Sequence, residues 1–139
     1  MAAQLGISKD EAQQLKADYK RELPFVSGVA DYYTKLAERT GVSRTELGRI
    51  GWFPNTDYCY KALNRAVQGT GADLMKMAIV LVHEELGMTP LLTVHDETDY
   101  TIYEEEHAMQ VAEIMENAIP MSVPQIVEPE LGPNWGECG

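Results

Sequence analysis

Apolar residues recur at helical spacing along the N-terminal part of the chain. Ser8 and Glu11 stand in capping-box positions, which marks the start of a helix. This helix stops before Pro24, which disfavours helical backbone in the preceding residue, and its apolar face consists of Ala12, Leu15 and Tyr19. A second helix, ending near Gly41, is predicted by a stripe with i, i+3, i+4, i+7 and i+11 spacing: Val26, Val29, Ala30, Tyr33 and Ala37.

A turn-rich segment and a long helical pattern follow. Residues 41–56 contain three Gly, one Pro and one Asn, which predicts an exposed loop or a short hairpin carrying Arg44 and Arg49. The helical pattern runs from 57 to about 86, with the sequence QGTG in its middle. Because Gly costs a helix about 1 kcal/mol relative to Ala, we expect a break there and a fresh helix capped by the intervening Thr.

The motif LLTVHDETDY predicts an antiparallel hairpin. Apolar alternation marks strands at 91–94 and 98–103, of which the first looks buried. His95, Asp96 and Glu97 would form the turn between the two strands.

A final helix and a short strand complete the pattern. Glutamates at 104–106 suit the positive end of a helix dipole, and Pro120 ends the helix. Its apolar face is predicted to contain Ala108, Val111, Ala112, Met115, Ala118 and Ile119. Pro124 and Pro129 bracket a predicted edge strand. Helices that pack on a small antiparallel sheet give an α+β fold.

Composition and charge narrow the class of protein. The 139 residues suit one domain or part of a larger one, and no apolar run approaches the roughly 18 residues of a membrane helix. Without a signal-peptide pattern or a CxxC pair, we expect free thiols and a cytoplasmic location. All 11 Lys and Arg lie in residues 1–76, whereas 13 of the 22 acids lie in 77–139. This acidic half argues against duplex binding by itself and favours a divalent cation or a solvated surface.

Two adjacent carboxylates at one turn repel each other. At about 4 Å and an effective dielectric near 20, Asp96 and Glu97 would repel by about 4 kcal/mol. Mg²⁺ or Mn²⁺ would offset this repulsion, since such an ion takes one or two protein carboxylates besides water and phosphate oxygens. Taken alone, the three-residue motif fits a solvated loop tip equally well. The sequence has no zinc-ligand spacing, hydrolase nucleophile motif or Walker loop.

Two amides precede the predicted helix break. Asn64 and Gln68 are four residues apart and hence on one helical face. Such amides can donate to base or sugar edges in a minor groove. The alternative is a pair of ordinary exposed amides near a helix cap.

Three ordered blocks together resemble one protein family. NRAVQGTGADLMKMAIV, LLTVHDETDY and VPQIVEPELGPNWGE are similar to the C-terminal end of A-family, polymerase-I-like DNA polymerases, particularly phage members. Upstream, MAAQLGISKDEAQQLKADYKRELPFV and RTELGRIGWFP resemble the fingers segment after the nucleotide-binding helix and the loop that follows it. The resemblance covers essentially the whole chain. It implies a helical fingers-like segment at 1–56 and a segment at 57–139 in which helices pack on the palm sheet.

The resemblance also implies roles for individual residues. The His95-Asp96-Glu97 turn matches motif C, in which Asp96 would ligate the catalytic Mg²⁺ ions, Glu97 would support it and His95 would lie near the primer end. Four further residues would contact DNA: Gln68 in the minor groove at the primer end, Asn64 near the template, and Arg44 and Arg49 near template phosphates.

The family's second metal-binding aspartate, in motif A, and its nucleotide-binding helix do not occur in these 139 residues. The resemblance therefore implies a split DNA polymerase, inactive alone. A partner chain would bring motif A, the nucleotide-binding helix and the thumb, and the complex would extend primer-template DNA with dNTPs. The alternative is a non-catalytic, palm-like interaction or regulatory fragment.

Overall fold

The computed structural model describes residues 6–138 and has an α+β fold. Residues 1–5, with which the predicted fingers-like segment begins, lie outside the described residues. In chain order the elements are α1 (Lys9–Glu22), α2 (Pro24–Thr40), β1 (Val42–Arg44), β2 (Ile50–Trp52), a 3₁₀ turn (Thr56–Lys61), α3 (Ala62–Leu86), β3 (Leu92–Val94), β4 (Glu97–Asp99), α4 (Glu105–Asn117) and a second 3₁₀ turn (Trp135–Glu137).

The chain divides into two compact units, Met1–Val67 and Gln68–Gly139. Each unit contains one antiparallel two-stranded hairpin, β1–β2 in the first and β3–β4 in the second. Within the described part of the chain, no helix is both long enough and apolar enough to span a bilayer.

The two N-terminal helices form as their end signals predict. The Ser8 backbone N–H donates to Glu11 Oε2 at 2.9 Å, and the Glu11 N–H donates to Ser8 Oγ at 3.2 Å. Donation from the Ser8 backbone, with a smaller effect of its hydroxyl, lowers the pKa of the Glu11 carboxyl. Pro24 starts α2, and Gly41 ends it in a left-handed conformation with φ 73°, where a residue without Cβ avoids a steric penalty.

The first unit has a small core around the β1–β2 hairpin. Of the two predicted alternatives for segment 41–56, an exposed loop or a short hairpin, the segment contains the hairpin, in which Ser43 pairs with Gly51. The buried core residues are Ala37, Phe53, Cys59 and Ala62, against which Tyr33 packs. The predicted apolar face of α1 is only partly buried, because Ala12 is covered whereas Leu15 and Tyr19 are exposed.

Helix α3 is unbroken, so the predicted break and the fresh N-cap at Thr70 were wrong. Gly69 and Gly71 both lie inside the helix. Their combined cost of about 2 kcal/mol is offset by packing on both sides of the glycines, since tertiary burial overrides local propensity. The buried residues that flank them are Ala62, Ala66, Ala78 and Val82.

The second unit is built on the packing of α4 against the C-terminal half of α3. Ala78 and Val82 of α3 form a cluster with Val111, Met115 and Ala118. All six residues of the predicted apolar face are buried, which confirms that prediction: Ala108, Val111, Ala112, Met115, Ala118 and Ile119.

The predicted edge strand between Pro124 and Pro129 was wrong, because this segment has no regular secondary structure. The Val127 N–H donates to Glu116 Oε1 of α4 at 2.9 Å, and Gln125 Nε2 donates to Ile119 O at 3.0 Å. The segment is therefore hydrogen-bonded to α4 and the turn after it, which takes the place of a strand partner.

Candidate functional site

The acidic motif lies at the tip of a short hairpin in the second unit. Val94 pairs with Glu97, so the connection contains only His95 and Asp96. The hairpin prediction is confirmed, with two corrections: Glu97 is the first residue of β4, and the strand ends at Asp99, not at residue 103. The ladder closes with a hydrogen bond of 2.8 Å from Leu91 N–H to Asp99 O.

His95 adopts an uncommon backbone conformation. Its φ is 56°, the single positive value among the non-glycine residues that the structure describes. Two-residue hairpin turns favour a positive φ at their first position because it matches the twist of the strands, and Gly usually occupies it. A residue with a Cβ costs about 1–2 kcal/mol there. The turn thus keeps an imidazole where glycine would be less strained.

The carboxylates of the motif face solvent. Asp96 and Glu97 are both exposed, and neither has an ion pair with any other described residue. On the adjacent position of β4, Thr98 Oγ1 donates to Met115 Sδ of α4 at 3.7 Å. Because successive side chains of a strand point to opposite faces, this contact directs Glu97 away from α4.

The strand that precedes the motif is not buried, contrary to its apolar sequence. Leu91 is 74% exposed and Leu92 is 43% exposed. The Thr98 face of the hairpin contacts α4, and Leu92, which pairs with Asp99, lies on the opposite face together with Glu97. Leu91 and Leu92 therefore point to opposite faces of the hairpin, and both are exposed.

Tyr100 supports the base of the hairpin. The residue is partly buried and packs on the second core, and its hydroxyl oxygen is inaccessible and lacks a well-formed hydrogen bond within residues 6–138. Desolvation raises the pKa of this phenol, and the neighbouring Thr98 hydroxyl opposes the rise to a smaller extent.

The oxygen donors at the tip fit a hard cation. Mg²⁺ takes one or two carboxylates and completes its shell with water and phosphate oxygens, which two exposed acids at a turn permit. Within the described range 6–138, no group of three or more His, Cys, Asp or Glu is placed to hold a metal ion. Asp96 and Glu97 would be the residues that hold such an ion.

The predicted DNA-contacting residues all lie on the surface. Asn64 and Gln68 are exposed residues of α3. In the first unit, Arg44 ends β1 and its Nη1 lies 3.4 Å from Gly48 O, while the Arg49 N–H donates to Thr45 Oγ1 at 3.0 Å.

Arg65 makes contacts with the β1–β2 hairpin that the sequence pattern did not predict. Its Nη1 donates to Trp52 O at 2.6 Å, and its guanidinium carbon lies 4.5 Å from the centre of the Phe53 ring. The signal available in the sequence was Gly51 within a predicted hairpin, since glycine in a strand often marks a close approach by another group.

Comparisons with known proteins agree with this arrangement. The family model of DNA polymerase family A matches residues 1–137. A DNA-directed DNA polymerase of Pseudomonas phage M6 is 34% identical over 131 residues, which cover 91% of this chain and 20% of the relative. The thermostable DNA polymerase I of Thermus aquaticus is 34% identical over 151 residues, which cover 97% and 18%. The chain thus spans about a fifth of the length of these relatives.

The fold has a solved counterpart in the same family. The chain is similar to the POL domain of Pol1 from M. smegmatis in complex with DNA primer-template and dNTP, with a TM-score of 0.76 and 31% sequence identity. The similarity covers 88% of this chain and 25% of that one. The chain therefore belongs to DNA polymerase family A.

Proposed function

We propose that this chain is the C-terminal subunit of a split, template-directed DNA polymerase, with residues 1–56 in the fingers and residues 57–139 in the palm. The observation that carries the proposal is the exposed Asp96 carboxylate at the tip of a strained two-residue turn in a family A chain. The reaction would be attack of a primer 3′-hydroxyl on the α-phosphorus of a dNTP, with release of pyrophosphate.

In this proposal the hairpin holds the metal-binding carboxylate. DNA polymerases of family A generally use Mg²⁺. Bound here, Mg²⁺ would supply positive charge to the attacking and leaving oxygens. Asp96 lies in the turn beyond the strands, Glu97 adds a second acid beside it, and His95 occupies the position with positive φ. His95 would lie next to the primer end.

The other predicted residues would bind the nucleic acid. Gln68 and Asn64 expose amides on α3 that can donate to minor-groove acceptors, which are present at every base pair. Arg44 and Arg49 expose guanidinium groups in the first unit that can pair with template phosphates.

A second polypeptide would complete the catalytic centre. Two-metal transfer needs ions about 4 Å apart, and a single hairpin tip cannot hold both. The partner would carry the motif A carboxylate, the nucleotide-binding helix and the thumb. Uncovered apolar side chains support such an interface, including Phe25 (67% exposed), Tyr32 (62%) and Leu91 (74%). We expect it to bury more than about 2,000 Å², as obligate interfaces do.

The test is replacement of the metal-binding carboxylate in the assembled enzyme. In a complex of the tagged chain with the polymerase polypeptide that co-purifies from its source, Asp96→Asn should lower the primer-extension rate by about 1,000-fold. A loss of about 4 kcal/mol of transition-state stabilisation has that effect. Asp99→Asn, the same substitution in the neighbouring strand β4, should leave the rate within about twofold.

Assembly must be measured in parallel by size-exclusion chromatography. An Asp96→Asn complex that assembles and extends primers at the wild-type rate would contradict the metal-binding role. It would favour the alternative, a non-catalytic palm-like interaction module.

A further inference from the structure

A small pocket in the first unit lies between the β1–β2 hairpin and the start of α3. Its volume is about 160 Å³. It is lined by Ser43, Thr45, Arg49, Ile50, Gly51 and Arg65. Two arginines and two hydroxyl-bearing residues thus line one cavity that no acidic residue lines. Guanidinium and hydroxyl groups are the donors of an anion site.

Arg65 is held in place by three neighbours. Its Nη1 donates to Trp52 O at 2.6 Å, and its guanidinium group stacks over Phe53. Its aliphatic stem passes over Gly51, where an added Cβ would lie 2.5 Å from Arg65 Cδ. Trp52 O uses one of the five guanidinium N–H groups, which leaves others for a ligand. Because the side chain is already immobilised, a ligand would not have to order it.

Ser43 and Arg49 extend this donor set. Ser43 is only 5% exposed, yet it lines the pocket. Arg49 already has another contact within the chain, so Arg65 is the donor on which the inference depends.

The size of the pocket limits the ligand. Pockets for small organic molecules are about 300–1,000 Å³, and a water molecule occupies about 30 Å³. A cavity of about 160 Å³ admits one phosphate group with a few waters but not a whole nucleotide. The guanidinium group of an arginine can donate two parallel hydrogen bonds to two oxygens of one phosphate.

We infer that the Arg65 pocket binds one backbone phosphate of the DNA. The identity of the anion rests on the proposed function. The inference adds a DNA contact that lies outside the His95-Asp96-Glu97 motif. Arg65 would be a positioning residue for the strand, far along the chain from Asp96.

The direct test is nuclear magnetic resonance of the full chain with labelled arginine. Titration with a primer-template duplex at low salt should shift the Nε–Hε signal of Arg65 saturably, and pyrophosphate should shift it only at higher concentration. An Arg65 signal that does not respond to the duplex would overturn the inference. A response to pyrophosphate at lower concentration than to the duplex would also overturn it and would assign the pocket to a free anion.

Matched variants test the contact energetically. Arg65→Gln should weaken duplex binding several-fold and reduce the slope of log K against log salt by about 0.9, the value for one lost phosphate contact. Arg39→Gln removes the same charge from an exposed position of α2 and should retain the wild-type slope. Equal slopes for the two variants would refute the pocket.

Two further variants separate the possible causes of failure. Arg65→Lys keeps the charge and stem, so it should fold even if Arg65→Gln does not, and it should lower affinity with little change in slope. Asp96→Asn should leave the Arg65 response intact. If Asp96→Asn abolishes primer extension but the Arg65 signal does not respond to the duplex, the pocket is rejected and the polymerase proposal is retained.

Discussion

At the scale of single residues, the acidic motif combines strain with exposure. His95 takes a positive φ that a residue with a Cβ rarely adopts, and Asp96 beside it has no ion pair among residues 6–138. Strain of this kind persists where the surrounding structure imposes it, and it concentrates at functional sites. A residue with a Cβ at this position costs the turn about 1–2 kcal/mol.

Replacing His95 with Gly should relieve this strain. We expect His95→Gly to raise the free energy of unfolding of the second unit by about 1 kcal/mol, because glycine adopts a positive φ without a steric penalty. Urea unfolding followed through amide resonances of β3 and β4 would measure the change. As control, His107→Gly inside α4 should lower the same free energy by about 0.5 kcal/mol, because glycine favours a helix less than histidine does. Equal destabilisation by both variants would show that the turn is not strained.

At the scale of secondary-structure elements, α4 is the support on which the hairpin depends. Met115 is buried against α3, and its sulfur accepts the hydrogen bond from Thr98 of β4. Since two strands alone are marginal in water, the hairpin needs this packing to hold its tip in place.

Truncation of Met115 should therefore loosen the acidic hairpin. We expect Met115→Ala to cost about 2–4 kcal/mol and to speed amide exchange in β3 and β4. Met109→Ala truncates a 63% exposed methionine of the same helix and should cost less than about 0.5 kcal/mol. Hydrogen exchange read by mass spectrometry measures both effects. Unchanged exchange of the hairpin in Met115→Ala would mean that the hairpin does not depend on α4.

At the scale of the whole molecule, charge divides unevenly along the chain. The first 76 residues hold all 11 basic residues, and the remaining 63 hold 13 of the 22 acids. The Arg65 pocket lies in the first unit and the acidic hairpin in the second. The first unit thus carries the features that suit phosphates, and the second carries those that suit a cation.

Cation binding should depend on assembly. Mg²⁺ gives up its hydration water reluctantly, and two carboxylates replace only a few of its water ligands. The isolated chain should therefore bind it with a dissociation constant above about 1 mM. With the partner polypeptide and primer-template DNA, we expect binding at least about tenfold tighter. Electron paramagnetic resonance of added Mn²⁺ would measure both affinities. Tight binding by the isolated chain would instead indicate an independent metal-binding protein.

Local patterns predicted the elements whose signals lie within a few residues. The Ser8–Glu11 capping box, the Gly41 helix end and the apolar face of α4 all formed as expected. The predicted break in α3 did not form, because packing on either side of the glycines stabilises the continuous helix. The predicted strand near Val127 did not form either, because the Val127 N–H donates to Glu116 instead of to a strand partner. Exposure of Leu91 was also unpredictable, since an apolar pattern does not say whether a covering surface is present.

The sequence by itself determined the family and the hairpin that carries the motif, because these depend on local order and spacing, and it predicted the residues that would carry the chemistry. Tertiary structure alone decided the strain at His95, the direction of Glu97 and the Arg65 pocket. The last brings together Gly51 and Arg65, whose contact depends on how a hairpin packs against a helix. No local pattern encodes that packing, because it results from burial shared by residues that are distant in the chain.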